Sequence, residues 1–419
     1  MPDAARAPRR PRERVGEAVG ATPANGDPAT PGESHPLRRL PLWVRGVIPL
    51  VLLAILLAVF FRWGPLGLLG TSFPPVEELT IERVWMPEPG IIHVAVVNGG
   101  PEPVTVSQVL VDDAMWSHAL DGERTIGRLE SRTLRIPYPW VEGEPHEVKL
   151  LTSTGLTFDA TVDVATQAPA MNARYLGMFA LVGAYVGVVP VLLGLLWLPF
   201  LRGLERRWVD FFLAFTLGLL VFLGVDALVE SAELSAAVPG AFMGTGLVLL
   251  GLVGTPLLLE AAGGLRRSAA PSAFRVALLV ALAIGLHNLG EGLAIGGAYA
   301  SGAVALGTFL VVGFLIHNTT EGLAIVAPMA RERVRIRALA GLGLLAGAPT
   351  ILGAWLGGFG ASPLWATLFL AIGAGAVAQV VLQLARMFRR GDGLTSPLNA
   401  AGVLAGLVVM YATGLLVAA

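Results

Sequence analysis

Residues 275–298 read RVALLVALAIGLHNLGEGLAIGGA. After the opening Arg275 the run is apolar, apart from a His, an Asn and a Glu deep inside it. A membrane-crossing helix needs ~20 such residues. Ionisable side chains at that depth are costly to insert and mark a functional site by default. The neighbouring apolar run, 303–328, carries the same insert. His287-Asn-Leu-Gly-Glu-Gly-Leu-Ala-Ile recurs as His317-Asn-Thr-Thr-Glu-Gly-Leu-Ala-Ile, identical at seven of nine positions.

Outward from this pair, apolar runs of membrane length recur at about 175–200, 209–230, 240–263, 337–358, 363–386 and 397–418, which makes eight spans. Gly is frequent within them and lets helices approach closely and bend. The composition agrees, with 54% hydrophobic residues, a mean hydropathy of +0.70 and 14% charged residues against the ~25% of a soluble chain. The net charge of −1 gives no reason to expect a nucleic-acid partner. Lys149 is the one Lys among many Arg, read here as compositional bias. With no Cys, disulfides and thiolate metal sites are excluded, so a metal site must use His, Met or carboxylates.

The loops predict an orientation. Arg202, Arg206 and Arg207 follow the first span, Arg266, Arg267 and Arg275 the third, Arg331, Arg333, Arg335 and Arg337 the fifth, and Arg386, Arg389 and Arg390 the seventh. The intervening loops, 231–239, 299–302 and 359–362, have neither Arg nor Lys. By the positive-inside rule both ends of the eight-helix unit lie outside.

Upstream, residues 74–166 alternate apolar and polar side chains. Segments beginning at Leu79, Ile92, Val104, Val148 and Phe158 are separated by turn clusters such as Asn98-Gly-Gly-Pro and Asp121-Gly. This is the pattern of a small β-sandwich, placed outside the cytoplasm by the loop charges. Residues 1–40 are rich in Pro, Ala, Gly and Arg and are expected to be a disordered cytoplasmic tail. The run Val47–Phe61, within 41–63, is either an N-terminal membrane anchor or a signal sequence; the long basic segment before it and the lack of a clear cleavage site favour the anchor. The fold expected is an α-helical polytopic membrane protein of the plasma (inner) membrane, with its eight-helix domain at 175–419 and a small extracytoplasmic β-domain.

Within each motif the His and Glu are four apart, on one helix face. His287 lies 12 residues past Arg275, about 18 Å of helix rise, so both motifs fall near the bilayer midplane. Imidazole, carboxylate and the adjacent Asn carbonyl form a mixed N/O set. It suits Zn²⁺, Fe²⁺, Mn²⁺, Co²⁺ or Cd²⁺ rather than Cu⁺, and it is weak enough for an ion that must bind and leave. A single intramembrane His–Glu pair can merely bond helices together; two identical pairs at equal depth argue for a shared ion.

The doubled HNxxEG motif on neighbouring spans, with eight spans and both ends outside, resembles the ZIP (Zrt- and Irt-like) metal transporters over residues 175–419. The resemblance implies an eight-helix bundle that carries divalent metal, zinc foremost, toward the cytoplasm by sliding one helix group against another. It implies His287, Asn288 and Glu291 as ligands from the fourth helix and His317, Asn318 and Glu321 as ligands from the fifth. It also implies a homodimer, and the metal as transported substrate rather than prosthetic group. The chain departs from the family pattern at Gly290 and Thr320, where Pro is usual. Thr350 stands at the expected position of a sixth-helix Glu, and Gln379 and Gln383 stand on the seventh helix where a Glu is often found. These departures put a two-metal centre in doubt.

Asp226, Glu230 and Glu233 share a helix face at the outer end of the second span. They are either a cation-attracting entrance or a solvated helix end. Glu260 either lines an exit or meets headgroups. His93, His118 and His146 in the β-domain are either metal-capturing or plain surface residues. A non-transporting metal sensor or binding protein is the main alternative to transport. An intramembrane metalloenzyme is disfavoured because His-Glu-x-x-His and additional His residues are lacking.

Overall fold

The computed structural model describes residues 41–63, 76–264, 272–360, 362–388 and 393–418. The expected cytoplasmic tail lies outside them, as do Arg266, Arg267, Arg389 and Arg390. Helix α1, Leu42–Trp63, contains the anchor or signal run and forms a unit of its own with Pro49 inside it.

The β-domain holds nine strands where five were legible: β1 (Leu79–Glu88), β2 (Ile91–Asn98), β3 (Val104–Val111), β4 (Ala114–Trp116), β5 (Ala119–Leu120), β6 (Thr125–Ile126), β7 (Ser131–Pro137), β8 (His146–Thr152) and β9 (Thr157–Val162). One sheet runs β1-β2-β7-β5, and the other β4-β3-β8-β9 with β6 also on β3. Their inner faces meet in one core containing Ile92, Val94, Leu134, Ile136, Val109, Val148 and Leu150. In β3 the alternation slips: Val104 and Val106 point inward, then Val109 and Val111. A bulge between Val106 and Gln108 absorbs the slip, and the Ser107 hydroxyl reaches the Leu151 and Thr152 carbonyls. Buried Asn98 organises the Asn-Gly-Gly-Pro turn. It donates to the Glu102 and Ile126 carbonyls and accepts from Gly100 N–H.

The β3–β4 hairpin turns on Asp112 and Asp113, both at positive φ (51° and 62°), as a two-residue type I′ turn requires. Asp112 accepts from Tyr138 Oη at 2.6 Å and Glu147 N–H at 2.9 Å, and meets His146 Nδ1 at 2.8 Å. The bond to Asp112, with burial added, pushes the Tyr138 phenol up to about 12. The unfolded phenol titrates near ~10, so this contribution is intact below that pH and lost as pH rises toward 12. Tyr138→Phe is therefore expected to flatten the alkaline loss of β-domain stability, read by tryptophan fluorescence of the full chain during denaturant titration at successive pH values. An unchanged alkaline slope would refute the assignment.

After the β-domain, eight helices among the described residues are long and apolar enough to cross a membrane: α2 (Ala173–Arg202), α3 (Arg206–Ser235), α4 (Gly244–Gly264), α5 (Ala273–Ala300), α6 (Val304–Val326), α7 (Ile336–Phe359), α8 (Pro363–Phe388) and α9 (Pro397–Ala418). The chain is thus of the polytopic membrane class. The helices sort into two groups by packing. One comprises α2, α5, α6 and α7; the other comprises α3, α4, α8 and α9; α8 against α5 and α9 against α6 form the seam. Two members of the first group are interrupted. In α2 a π-helical turn, Ala184–Val188, precedes Pro190, and in α7 the helix restarts at Pro349. Proline lacks the N–H that would close the preceding turn, so carbonyls in mid-span are left for other partners.

Charge and contact agree on the two ends of the bundle. Arg202 donates to the Glu332 carbonyl, joining two Arg-bearing loops. At the opposite end, turns free of Arg and Lys meet the β-domain: Glu78 accepts from Gly240 N–H, and Thr166 packs on Gly302.

Candidate metal centre

Helices α5 and α6 carry the two motifs into one place. His287 sits midway along α5, and both it and His317 are buried. Their rings stack with centroids 6.1 Å apart and planes 19° apart. One donor atom each from His287, His317 and Glu321 lie within 4.8 Å of one another, a group that can hold a metal ion. Glu291 Oε1 lies 2.7 Å from His317 Nε2 and 3.6 Å from His287 Nε2, and Glu321 Oε1 lies 3.8 Å from His317 Nε2. Two ligands on one tetrahedral Zn²⁺, with bonds of ~2.0–2.1 Å, stand about 3.3 Å apart. The observed spacings bracket that value.

The hydrogen bonding around these atoms is incomplete in an informative way. At 2.7 Å, His317 Nε2 and Glu291 Oε1 approach closely without the alignment of a hydrogen bond, and both remain without a bonded partner. His287 Nδ1, Asn288 Oδ1, Asn318 Oδ1 and both Glu321 oxygens are likewise buried and unbonded. Each such orphan costs about 1–3 kcal/mol. Several together, with two carboxylates among them, are what a dication would satisfy: neutral imidazoles and two carboxylates balance a charge of +2.

The asparagines are aimed by their amide nitrogens. Asn318 Nδ2 donates to Glu291 Oε2 at 2.9 Å and to the Val186 carbonyl at 3.0 Å. Four residues beyond Val186 stands Pro190, so that carbonyl has no helical N–H to accept. Asn288 Nδ2 donates to the Ala346 carbonyl at 3.1 Å, just before the Pro349 break. A carbonyl only accepts, which fixes both amides with Oδ1 free. Each motif Asn thus ties its helix to the backbone of a neighbouring helix near an interruption, at Val186 to the carbonyl that Pro190 frees, and keeps its Oδ1 unbonded. Sequence reasoning treated the Asn residues only as ligands; the prolines inside spans one and six were the available signal.

The polar residues singled out beside the two motifs are also placed. Thr320 and Thr319 turn their hydroxyls back onto the His317 and Leu315 carbonyls, a bond of the kind that often bends helices. Thr350 is fully buried, with its carbonyl against Gly292 and its hydroxyl unbonded. Gln379 donates to Glu260 at 2.7 Å, so Glu260 is tied to α8. Gln383 Oε1 is buried without a partner.

A cavity of about 600 Å³ opens between the β-domain and the bundle. It is roofed by β1 and runs along Ala298, Ala294 and Leu293 of α5 down to Gly290, next to Glu291. Of the three acidic candidates, Glu230 lines this cavity, while Asp226 and Glu233 are exposed outside its lining. Among the described residues, the single group that can hold a metal includes none of His93, His118 and His146. His93 stacks edge-on against Trp85, and His146 is bound by Asp112.

No family model matches this chain, and none of the curated proteins searched matches it.

Proposed function

We propose that this chain transports divalent transition-metal ions, zinc foremost, across the membrane toward the cytoplasm, as its resemblance to the ZIP family implies. The observation that carries the reading is the convergence of two copies of one motif, from neighbouring membrane helices, on a buried set of N and O atoms that no protein group satisfies. The mixed ligand set supports reversible binding. The cavity ending at Gly290 supports access from the β-domain side, and the alternating Arg loops support that side being extracytoplasmic, with the N-terminal tail inside. The placement of every candidate ligand within one helix group supports movement of that group as a carrier. No bond-breaking chemistry is assigned to the site.

The test is Zn²⁺ uptake into proteoliposomes holding the purified full chain, beside Glu291→Gln. Saturable uptake by the wild type, reduced about tenfold or more in the variant, is expected. Absence of wild-type uptake with Zn²⁺, Fe²⁺, Mn²⁺ and Cd²⁺ would sink the transport reading. Zn²⁺ binding without flux would support the sensor, which the bonds between the β-domain and the helix ends favour.

A further inference from the structure

The β-domain is fastened to both helix groups at once, and its attachment turns on one irregularity in β1. Ile81 pairs with Val96 and Arg83 with Ala95, so Glu82 has no partner in β2. A bulge of this kind re-aims side chains; here two consecutive residues both engage the bundle. Glu82 Oε1 accepts from the Ser362 hydroxyl at 3.1 Å. The Arg83 guanidinium donates to the Phe359 carbonyl at 2.9 Å and lies over the Trp85 ring, 5.0 Å from its centroid.

Phe359 is the last residue of α7, and Ser362 immediately precedes α8. The two helices belong to different groups. The chain passes between the two groups here, and Gly360, directly after α7, has φ +93°. The charges are matched to the backbone: a cation meets a carbonyl at the negative end of α7, and a carboxylate takes the hydroxyl that also accepts from Leu364 N–H at the start of α8. Two further attachments repeat the division. Glu78 holds Gly240 N–H at the head of α4, in one group, and Thr166 packs on Gly302 between α5 and α6, in the other.

We propose that the β-domain is a clamp on the relative movement of the two helix groups. Its β1 bulge staples the end of α7 and the start of α8, so the attachments to one group, Glu82–Ser362 with Glu78–Gly240 or Arg83–Phe359 with Thr166–Gly302, must open before the group bearing the metal centre can slide. The transport consequence rests on the function proposed above; the clamp itself does not.

The absence of Cys allows clean labelling. Spin labels at Leu344 of α7 and Leu382 of α8, both exposed, report the distance between the groups in full-length protein in nanodiscs. Wild type is expected to give one dominant distance. Glu82→Gln with Arg83→Ala, and separately Ser362→Ala, are expected to raise the population of a second distance about tenfold, equivalent to ~1.4 kcal/mol. Zn²⁺ affinity of Ser362→Ala, by titration calorimetry, is expected to remain that of the wild type, and turnover in proteoliposomes is expected to rise with the second population. An unchanged distance distribution in both variants overturns the clamp, whatever the uptake. A shifted distribution in a protein that carries no metal sustains the clamp and sinks the transport reading instead.

Discussion

His317→Ala is expected to weaken Zn²⁺ binding by about 100-fold or more while the helices remain assembled. His317 is the hub of the centre. Its Nε2 is 2.7 Å from Glu291 and 3.8 Å from Glu321, and its ring stacks on His287. Removing even a residue behind a metal ligand costs ~10–100-fold in affinity, and removing the imidazole itself costs at least the upper end of that range. The helix tolerates the change because Ala is the best helix former, and the bonds of Asn318 to Val186 and Glu291 do not pass through the imidazole. Titration calorimetry of the detergent-purified chain measures the affinity, and circular dichroism checks the helices. A dissociation constant within threefold of the wild type, on a folded protein, would show that the ion does not sit between the two motifs.

The helical half of the molecule was open to sequence reading because the bilayer imposes length and polarity together. All eight expected spans agree with the helices within a few residues, and the pairing of His287 with His317 follows from placing identical motifs on adjacent spans. Several features lay beyond that reasoning. β7 was passed over because its sequence, Ser131–Pro137, spends two of its seven positions on Arg; Leu134 and Ile136 still face the core. β4, β5 and β6 are two or three residues long, too short for alternation to register. The Val186 and Ala346 carbonyls are backbone atoms, invisible to a motif of side chains, although Pro190 announces that the first of them comes free. The β1 bulge leaves Glu82 and Arg83 looking like ordinary edge-strand charges. What tertiary packing decides, a window of local sequence does not contain.

Gly353→Leu is expected to be the most disruptive substitution in the bundle. α5 and α7 cross so closely that each helix lays its backbone on glycines of the other. Gly292 and Gly296 of α5 face the Thr350 and Ala354 carbonyls, and Gly353 and Gly357 of α7 face the Leu289 and Leu293 carbonyls. This is small-residue packing on both partners. A Cβ at Gly353 would overlap the Leu289 carbonyl oxygen, with Leu293 N–H 2.8 Å away and Gly292 Cα 3.0 Å away. These are main-chain atoms of the helix bearing Glu291, so relief requires moving that helix. Overpacking costs ~1–3 kcal/mol when side chains can yield, and backbone yields less readily. The displacement also carries Glu291 away from His317, across a gap of 2.7 Å, so stability and metal affinity should fall together. Gly341→Leu, near the Arg-bearing end of the same helix with nothing within 4 Å of its Cβ direction, is expected to leave both near wild type. Thermal melts and Zn²⁺ titration of the two variants side by side make the comparison. Equal melting points would mean that the close crossing does not hold the centre together, and a drop for Gly353→Leu alone would tie the geometry of the metal site to a glycine that touches none of its ligands.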